Sequence, residues 1–473
     1  MPQRKAPRAT SRARTAVREE RPLDRTRAPV LGAPVPLALP ELSRFTLSCG
    51  VQVALVERHD LPLVAAEVLV PGGASAVPAP SAGLASLTAD MLDEGAGGRS
   101  AVELARLLEG LGATLDSAAG YDDGHLTLLA LRPRFAEALT LLVDLLRRPD
   151  FDEGELDRVR RERMDLALQL VDEPRAVAND ALSRLLYGPD HPWGPPLLGT
   201  RATLARLGSA EVAEHHRQRY HAGNVTILVA GDVTEGELRD LLEACLARWE
   251  RRATPPCTVP AAPQPDCPRL CLVDRAGAAQ SEIRVGCVAA ARSSPDYFPI
   301  VVLNTVLGGA FTSRLNTRLR EEKGLTYGAR SGFHARCAPG PFVARAAVHT
   351  PVTDQAVGVF LEELERLIEE PVPDEELERA KHYAALRLPQ RFETVGDLVA
   401  RLAELSLYHL PDDYWAGYVR RLMAVDAARV REAARRYLDP RRMTVVVVGD
   451  RAAVERPLRG LGMALEVMPG AAP

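Results

Sequence analysis

Apolar and polar positions alternate with a period of two over residues 46–57 (TLSCGVQVALVE) and 63–70 (LVAAEVLV), which predicts two opening strands. The period lengthens to that of a helix over residues 82–93 and 100–111. Alternation returns at 114–119 and 125–131, on either side of Tyr121-Asp122-Asp123-Gly124, and reads as a hairpin. Helical spacing then resumes over 133–146, 153–171 and 175–186. Hairpin-linked strands followed by long helices predict an α+β fold, a mostly antiparallel sheet with helices packed on one face.

The pattern occurs twice. Residues 219–238 (RYHAGNVTILVAGDVTEGEL) and 436–455 (RYLDPRRMTVVVVGDRAAVE) share an outline: a helix ending at tyrosine, a turn, and a short β-branched strand closing on Gly-Asp. Thr226 and Thr444 are 218 residues apart, as are Gly231 and Gly449. Glu155-Leu156-Asp157-Arg158 is echoed by Glu376-Leu377-Glu378-Arg379 at a spacing of 221. Two echoes at nearly one period predict two homologous domains of about 200 residues each. The Pro/Ala-rich stretch 251–268 breaks the periodicity and reads as the linker. The expected organisation is a leader at 1–37, a first domain at 38–250, a second domain at 269–465 and a tail at 466–473. The leader is arginine-rich without an apolar segment, unlike a secretory signal, and its acidic residues argue against a transit peptide. A disordered leader and a misassigned start codon both account for it, and a cytoplasmic location is expected.

Composition narrows the function classes. A net charge of −4 provides no global basic field for nucleic acid. No apolar run is expected to reach the roughly 18–20 residues that span a bilayer. Seven cysteines, an odd number without CxxC spacing, read as reduced thiols rather than a disulfide or zinc framework. Gly97-Gly98 and Gly308-Gly309 lack the continuation of a phosphate loop, and no serine or cysteine nucleophile motif stands out.

The stretch 307–327, LGGAFTSRLNTRLREEKGLTY, carries the densest candidate chemistry. Gly308-Gly309 is expected to break an apolar helix, Thr312 or Ser313 to cap the next, and Gly324 to end it and turn Tyr327 back toward Arg320. On spacing alone, Arg318 and Arg320 fit a solvated helix face near the negative end of the dipole. They also fit a second reading, in which Arg320 and Tyr327 grip a peptide carbonyl or a developing oxyanion.

Several of these runs resemble the M16 (pitrilysin/insulinase-like) metallopeptidase family in its bacterial two-domain branch, over roughly residues 38–465. The resemblance rests on Gly83-Leu84-Ala85 before Met91-Leu92, the helix-plus-glycine run at 104–115, YGPDHPWGPPLLGT at 187–200, YHAGNVTILVAGDV at 220–233 and LGGAFTSRLNTRLREEKGLTYG at 307–328. It implies two domains of the LuxS/MPP-like metallohydrolase type. Active members carry HxxEH after Gly-Leu-Ala, two histidines one turn apart for Zn²⁺ and a glutamate that activates water. Here Ser86 and Asp90 stand at the histidine positions and Ala89 at the general-base position. Matching Phe151 and Pro174 to the family pattern places the third ligand at Leu166 and its supporting glutamate at Val159. Ser86 and Asp90 retain oxygens that suit a hard cation, but the zinc site itself is not expected, and no cofactor is expected on this chain.

The family's Arg and Tyr, which bind the substrate backbone and polarise its carbonyl, match Arg320 and Tyr327. The resemblance therefore implies a non-zinc subunit of a heterodimer, its partner an HxxEH-bearing M16 homologue that holds zinc. Extended peptides are the implied substrates, with no nucleic acid and no membrane. Residues 69–76 (LVPGGASA) are expected to correspond to the edge strand that accepts substrate. Two rivals remain: a structural or interaction subunit resembling respiratory-complex core proteins, and a self-sufficient hydrolase with another metal site. His215-His216 beside Glu214 are read as exposed helix histidines. Asp90, Asp93 and Glu94 are read as a solvated face or a partner for Arg99.

Overall fold

A computed structural model describes residues 25–26, 39–263 and 267–468. The expected leader lies outside these residues except at 25–26, as does the tail beyond 468. The fold belongs to the unit Pro36–Pro473.

The first sheet contains β1 (Leu42–Thr46), β2 (Gln52–Glu57), β3 (Leu63–Pro71), β4 (Thr114–Ala119), β5 (Asp123–Leu131) and β6 (Thr226–Gly231), ordered β1-β2-β6-β3-β5-β4. Residues expected as one strand at 46–57 instead contribute to a hairpin, β1 against β2. Gly50, at φ 91°, lets the chain reverse there, and its N–H reaches the Leu47 carbonyl at 2.8 Å. The second sheet contains β7 (Arg269–Asp274), β8 (Gln280–Val288), β9 (Ala329–Phe333), β10 (Pro341–His349), β11 (Thr444–Gly449) and β12 (Ala464–Met468), ordered β12-β7-β11-β8-β10-β9.

The two orders coincide strand for strand except at the first edge. There β1 lies antiparallel to β2, whereas β12 lies parallel to β7. β6 and β11, which begin at the repeat-related Thr226 and Thr444, each pair parallel with one neighbour and antiparallel with the other. The sequence repeat is thus a topological one. Strand β12 runs to Met468, so the second sheet extends past the expected boundary at 465.

Helices α1 (Leu84–Asp90), α2 (Ala101–Leu111), α3 (Phe135–Arg147), α4 (Glu153–Val171), α5 (Pro174–Tyr187), α6 (Ser209–Arg219) and α7 (Glu235–Leu246) follow the first strands. The second half supplies α8 (Tyr297–Asn304), α9 (Thr353–Glu369), α10 (Asp374–Leu386), α11 (Val395–Leu407) and α12 (Ala427–Tyr437). Local helices α2, α3 and α7 cover one face of the first sheet, where Leu104, Phe135, Leu142 and Leu238 pack on Val53, Leu55, Val64 and Val68.

The opposite face is covered from the other half. Leu398, Val399, Leu402 and Leu405 of α11 join Ala54, Ala65, Leu69 and Leu228 in one core. Reciprocally, Ala178, Leu182 and Leu186 of α5 pack on Cys271, Val273, Val446 and Val448 of the second sheet. α5 and α11 begin 221 residues apart, so each half lends the equivalent helix to the other's sheet. Runs such as TVVVVG in β11, buried at every position, require apolar cover on both faces. At about 1.5–3 kcal/mol per buried aliphatic side chain, the four α11 residues contribute on the order of 10 kcal/mol gross.

Asp122, in the β4–β5 turn, adds a polar clamp: it accepts from Cys337 N at 2.8 Å and from the Tyr408 hydroxyl at 3.1 Å. All seven cysteines are free.

Two expectations are corrected here. Residues 69–76 are not a free edge: β3 lies between β5 and β6, and Gly73–Ala76 is a 3₁₀ turn whose Ala74 and Ser75 amides bond Gly120 and Tyr121. The edges of that sheet are β1 and β4. Second, Tyr297–Glu322, taken as one helical stretch, is long and apolar enough to cross a membrane. Its most apolar window is 61% buried, with Val302, Leu303, Leu307, Leu315 and Leu319 in the protein core.

Candidate functional site

Helix α1 starts at Gly83, whose φ of 94° and close approach to Leu198 O exclude a Cβ, which would meet that oxygen at 2.8 Å. Gly83-Leu84-Ala85 is thereby locked against the 187–200 run. Ser86 Oγ lies within hydrogen-bonding distance of the Gly83 and Leu197 carbonyls, at 3.1 and 2.9 Å. Ala89 is buried beside Val77, Ala85 and Ala119. On α4, Val159 is buried and Leu166 is 40% exposed.

Between those two positions on the same helical stripe sits Arg163, 5% exposed. Its Nε and Nη2 donate to Asp90 Oδ2 at 2.9 and 2.5 Å, and its Nη1 donates to Ser86 Oγ at 3.0 Å. A guanidinium therefore bridges Ser86 and Asp90, the two positions that the resemblance matches to histidines. Zinc does not fit this set: the two oxygens already serve a cation, and Ala89, Val159 and Leu166 present hydrocarbon. Among the described residues, no group of three His, Cys, Asp or Glu is placed to hold a metal ion.

Of the neighbouring acidic residues, Asp93 is exposed, as on a solvated face, whereas Glu94 and Asp90 are held in ion pairs. Glu94 pairs with Arg158, and Asp90 with Arg163, while Arg99 pairs with Asp144 at 2.8 Å rather than with this cluster. The histidine expectation is also corrected. His215 is buried and His216 half-buried, with His216 Nε2 at 2.9 Å from Leu146 O and its ring stacked on Tyr220. Burial is the main cause pushing both imidazoles down to about 4. His216 packs between Phe151 and Tyr220.

The 307–327 run forms two wide helical turns of π type, Thr305–Gly309 and Thr317–Glu322, flanking the short helix Arg314–Asn316. Such turns recur at functional sites because they displace side chains from the regular spiral. Ser313 takes the N-cap position without capping through its side chain. Gly324, at φ 62°, turns the chain out of the helical region as expected.

The arginines divide by role. Arg314 pairs with Glu376 at 2.7 Å, and Arg318 with the fully buried Glu363 at 2.7 Å, so both brace the helices. Among the described residues Arg320 pairs only with Glu321, at 2.5 Å, and it lies 3.7 Å over the Phe311 ring. Tyr327 is 95% exposed, and its hydroxyl has no hydrogen-bond partner among the described residues. Arg320 and Tyr327 line one cavity of about 780 Å³, together with Asn179 and Leu182 of α5 and residues of β9 and β10. The structure brings this pair to one cavity without a hydrogen bond between them. Ser86, Asp90 and Arg163 do not line it.

Two family models match in tandem: residues 52–200 match "Insulinase (Peptidase family M16)" and residues 206–383 match "Peptidase M16 inactive domain". The chain belongs to the M16 peptidase family.

Among M16 relatives, "Uncharacterized zinc protease YmxG" of Bacillus subtilis (strain 168) is 24% identical over 394 residues, 83% of this chain and 95% of that protein. "Non-peptidase homolog YmxG" of Helicobacter pylori (strain ATCC 700392 / 26695) is 22% identical over 413 residues, 85% and 92% of the two chains. A crystal structure described as peptidase M16 inactive domain from Pseudomonas fluorescens superposes with a TM-score of 0.79, at 24% identity, covering 86% of this chain and 98% of that one. That likeness establishes the two-domain M16 fold. The boundary between the two M16 models falls ahead of β6, although β6 is hydrogen-bonded within the first sheet.

Arg163 occupies no position of the family's ligand pattern, so that pattern does not point to it. The available signal was its place as the polar member of the stripe Val159, Arg163, Leu166, facing a helix that carries Asp90.

Proposed function

We propose that this M16 chain is the non-zinc subunit of a heterodimeric peptidase. It supplies Arg320 and Tyr327 to an active site whose zinc sits on an HxxEH-bearing partner. The observation that carries the reading is the contrast between two sites. The zinc position is filled by an internal cation, Arg163, whereas Tyr327 stands 95% exposed with a free hydroxyl beside Arg320 on a cavity wall. A phenol so exposed, without a hydrogen-bond partner among the described residues, is available to a peptide held between two chains. Tyr327 and Arg320 are placed to donate to the carbonyl oxygen as it gains charge; zinc, if held by the partner's HxxEH residues, would supply activation of water. Domain limits near 38–250 and 269–468 belong to the same reading.

The test is cleavage of an unstructured peptide by this chain, by the partner, and by the mixture. Activity is expected only in the mixture, and is expected to fall by about 10²–10³-fold with Arg320→Ala or Tyr327→Phe, as for loss of one oxyanion donor. Zinc-dependent cleavage by this chain alone, or full activity of a mixture carrying both substitutions, overturns it. The name of the Helicobacter relative favours a second reading, an inactive structural or interaction subunit. That reading predicts a stable complex whose function tolerates both substitutions.

A further inference from the structure

The cavity that holds Arg320 and Tyr327 carries charge of one sign. Arg320, Arg330, Arg336, Arg345 and Arg387 line it, and no aspartate or glutamate does. The chain as a whole has a net charge of −4, so the excess is local. Among the described residues Arg320 alone of the five has a carboxylate partner.

The others are held by other means. Arg336 lies 3.5 Å over the Tyr121 ring and 4.6 Å over Trp193, and its Nη1 is buried without a hydrogen-bond partner. Arg387 donates to the Tyr383 hydroxyl at 3.1 Å. Arg330 and Arg345 stand directly opposite each other in the β9–β10 register, an arrangement in which like charges repel. The next residue in that row, Arg284 of β8, is already saturated by Glu282 and Asn179 and offers no relief. Desolvation, and after it the fields of Arg336 and Arg345, push the imidazole of His334, on the same strand connection, down. Cations placed in this way destabilise one another in the free protein and are relieved when an anion enters.

We infer that this cavity selects peptides bearing acidic side chains, with Arg330 and Arg345 as the main anion-binding pair. The inference rests on the peptide-binding reading above and adds its substrate class. At about 780 Å³ the space is of ligand-pocket size and takes side chains and a short extended segment. Carboxylates suit a row of guanidinium groups, which can bind each oxygen pair through two parallel N–H donors.

The test uses the full chain without any partner, so it reads binding separately from the two-chain catalysis. Three fluorescent peptides share one scaffold and carry glutamate, glutamine or lysine at alternate positions, and their Kd values are measured by anisotropy at low and high salt. The glutamate peptide is expected to bind at least about tenfold tighter than the glutamine peptide, with the gap closing as salt rises. The double substitution Arg330→Gln/Arg345→Gln is expected to erase that preference. Neither residue has an ion-pair partner among the described residues, and an unchanged circular-dichroism spectrum and melting point at or above the parent's confirm that the variant folds. Equal binding of the glutamate and glutamine peptides overturns the inference. So does a folded double variant that keeps the preference, or a single-stranded oligonucleotide that displaces the glutamate peptide at equal concentration. If the preference holds but the two-chain mixture cleaves nothing, the anionic site stands and the catalytic reading falls.

Discussion

Replacing Arg163 by methionine tests whether the lost metal centre has become a structural cation site. The change keeps most of the side chain's apolar contact and removes three donors, two aimed at Asp90 and one at Ser86. Breaking a fully buried ion pair from one side costs about 3–5 kcal/mol. Asp90 is 43% exposed in its side chain, so water takes over part of its solvation and the expected loss shrinks to about 2 kcal/mol. Asp90→Asn keeps an acceptor and removes the charge, for roughly 1 kcal/mol. If the two groups act as a pair, the double variant loses less than the sum of the singles, by about 1 kcal/mol. Urea unfolding followed by both tryptophan fluorescence and circular dichroism measures this, provided the two transitions coincide. A coupling energy within about 0.3 kcal/mol of zero refutes the claim that Asp90 holds the guanidinium.

Rebuilding the zinc ligands with Ser86→His, Ala89→Glu, Asp90→His and Leu166→Glu is expected to give weak zinc binding while Arg163 remains. Adding Arg163→Ala should tighten it by about tenfold or more, read by competition with a chromogenic chelator; equal affinities sink the idea. Leu402→Ala in α11 is expected to cost about 2–5 kcal/mol and to unfold the first sheet together with the second, as seen by hydrogen exchange at β3 and β6. An effect confined to the second half refutes the helix exchange. His215 is held down near 4 mainly by burial, so the unfolded chain binds its proton first as pH falls. Its contribution, about 2–3 kcal/mol, is therefore complete above about 6.5 and lost as pH drops toward about 4. A packing-compatible His215→Leu should flatten that acid limb of the denaturant midpoint. Arg345→Gln alone relieves the cross-strand repulsion with Arg330 and is expected to raise stability by a few tenths of a kcal/mol in low salt.

Much of the first half was legible from periodicity. The predicted limits of α4 match the observed helix, and the 114–131 hairpin lies within a residue or two of its strands, because alternating and 3.6-residue patterns report local burial directly. The hairpin at β1–β2 was missed because Phe45 and Leu47 continue the alternation across the turn, and only Gly50 marks the reversal. The strongly polar composition of α6 points to exposed histidines, but His216 is covered by Phe151 and Leu146 from distant segments and stacks on Tyr220 at the helix's own C-cap.

By itself the sequence determined the α+β class, the internal repeat, the M16 resemblance without an HxxEH motif, and the prominence of Arg320 and Tyr327. These are properties of residue type and spacing, which survive without coordinates. Tertiary structure decided that α5 and α11 change places between the sheets, that Arg163 occupies the dead centre, and that five arginines from separate segments meet in one cavity. The first two are contacts between residues 73 or more positions apart, and the cavity folds the segment from Arg320 to Arg345 against α5 and Arg387. Such contacts follow from how whole layers pack, and no local pattern encodes which distant side chains the packing brings together.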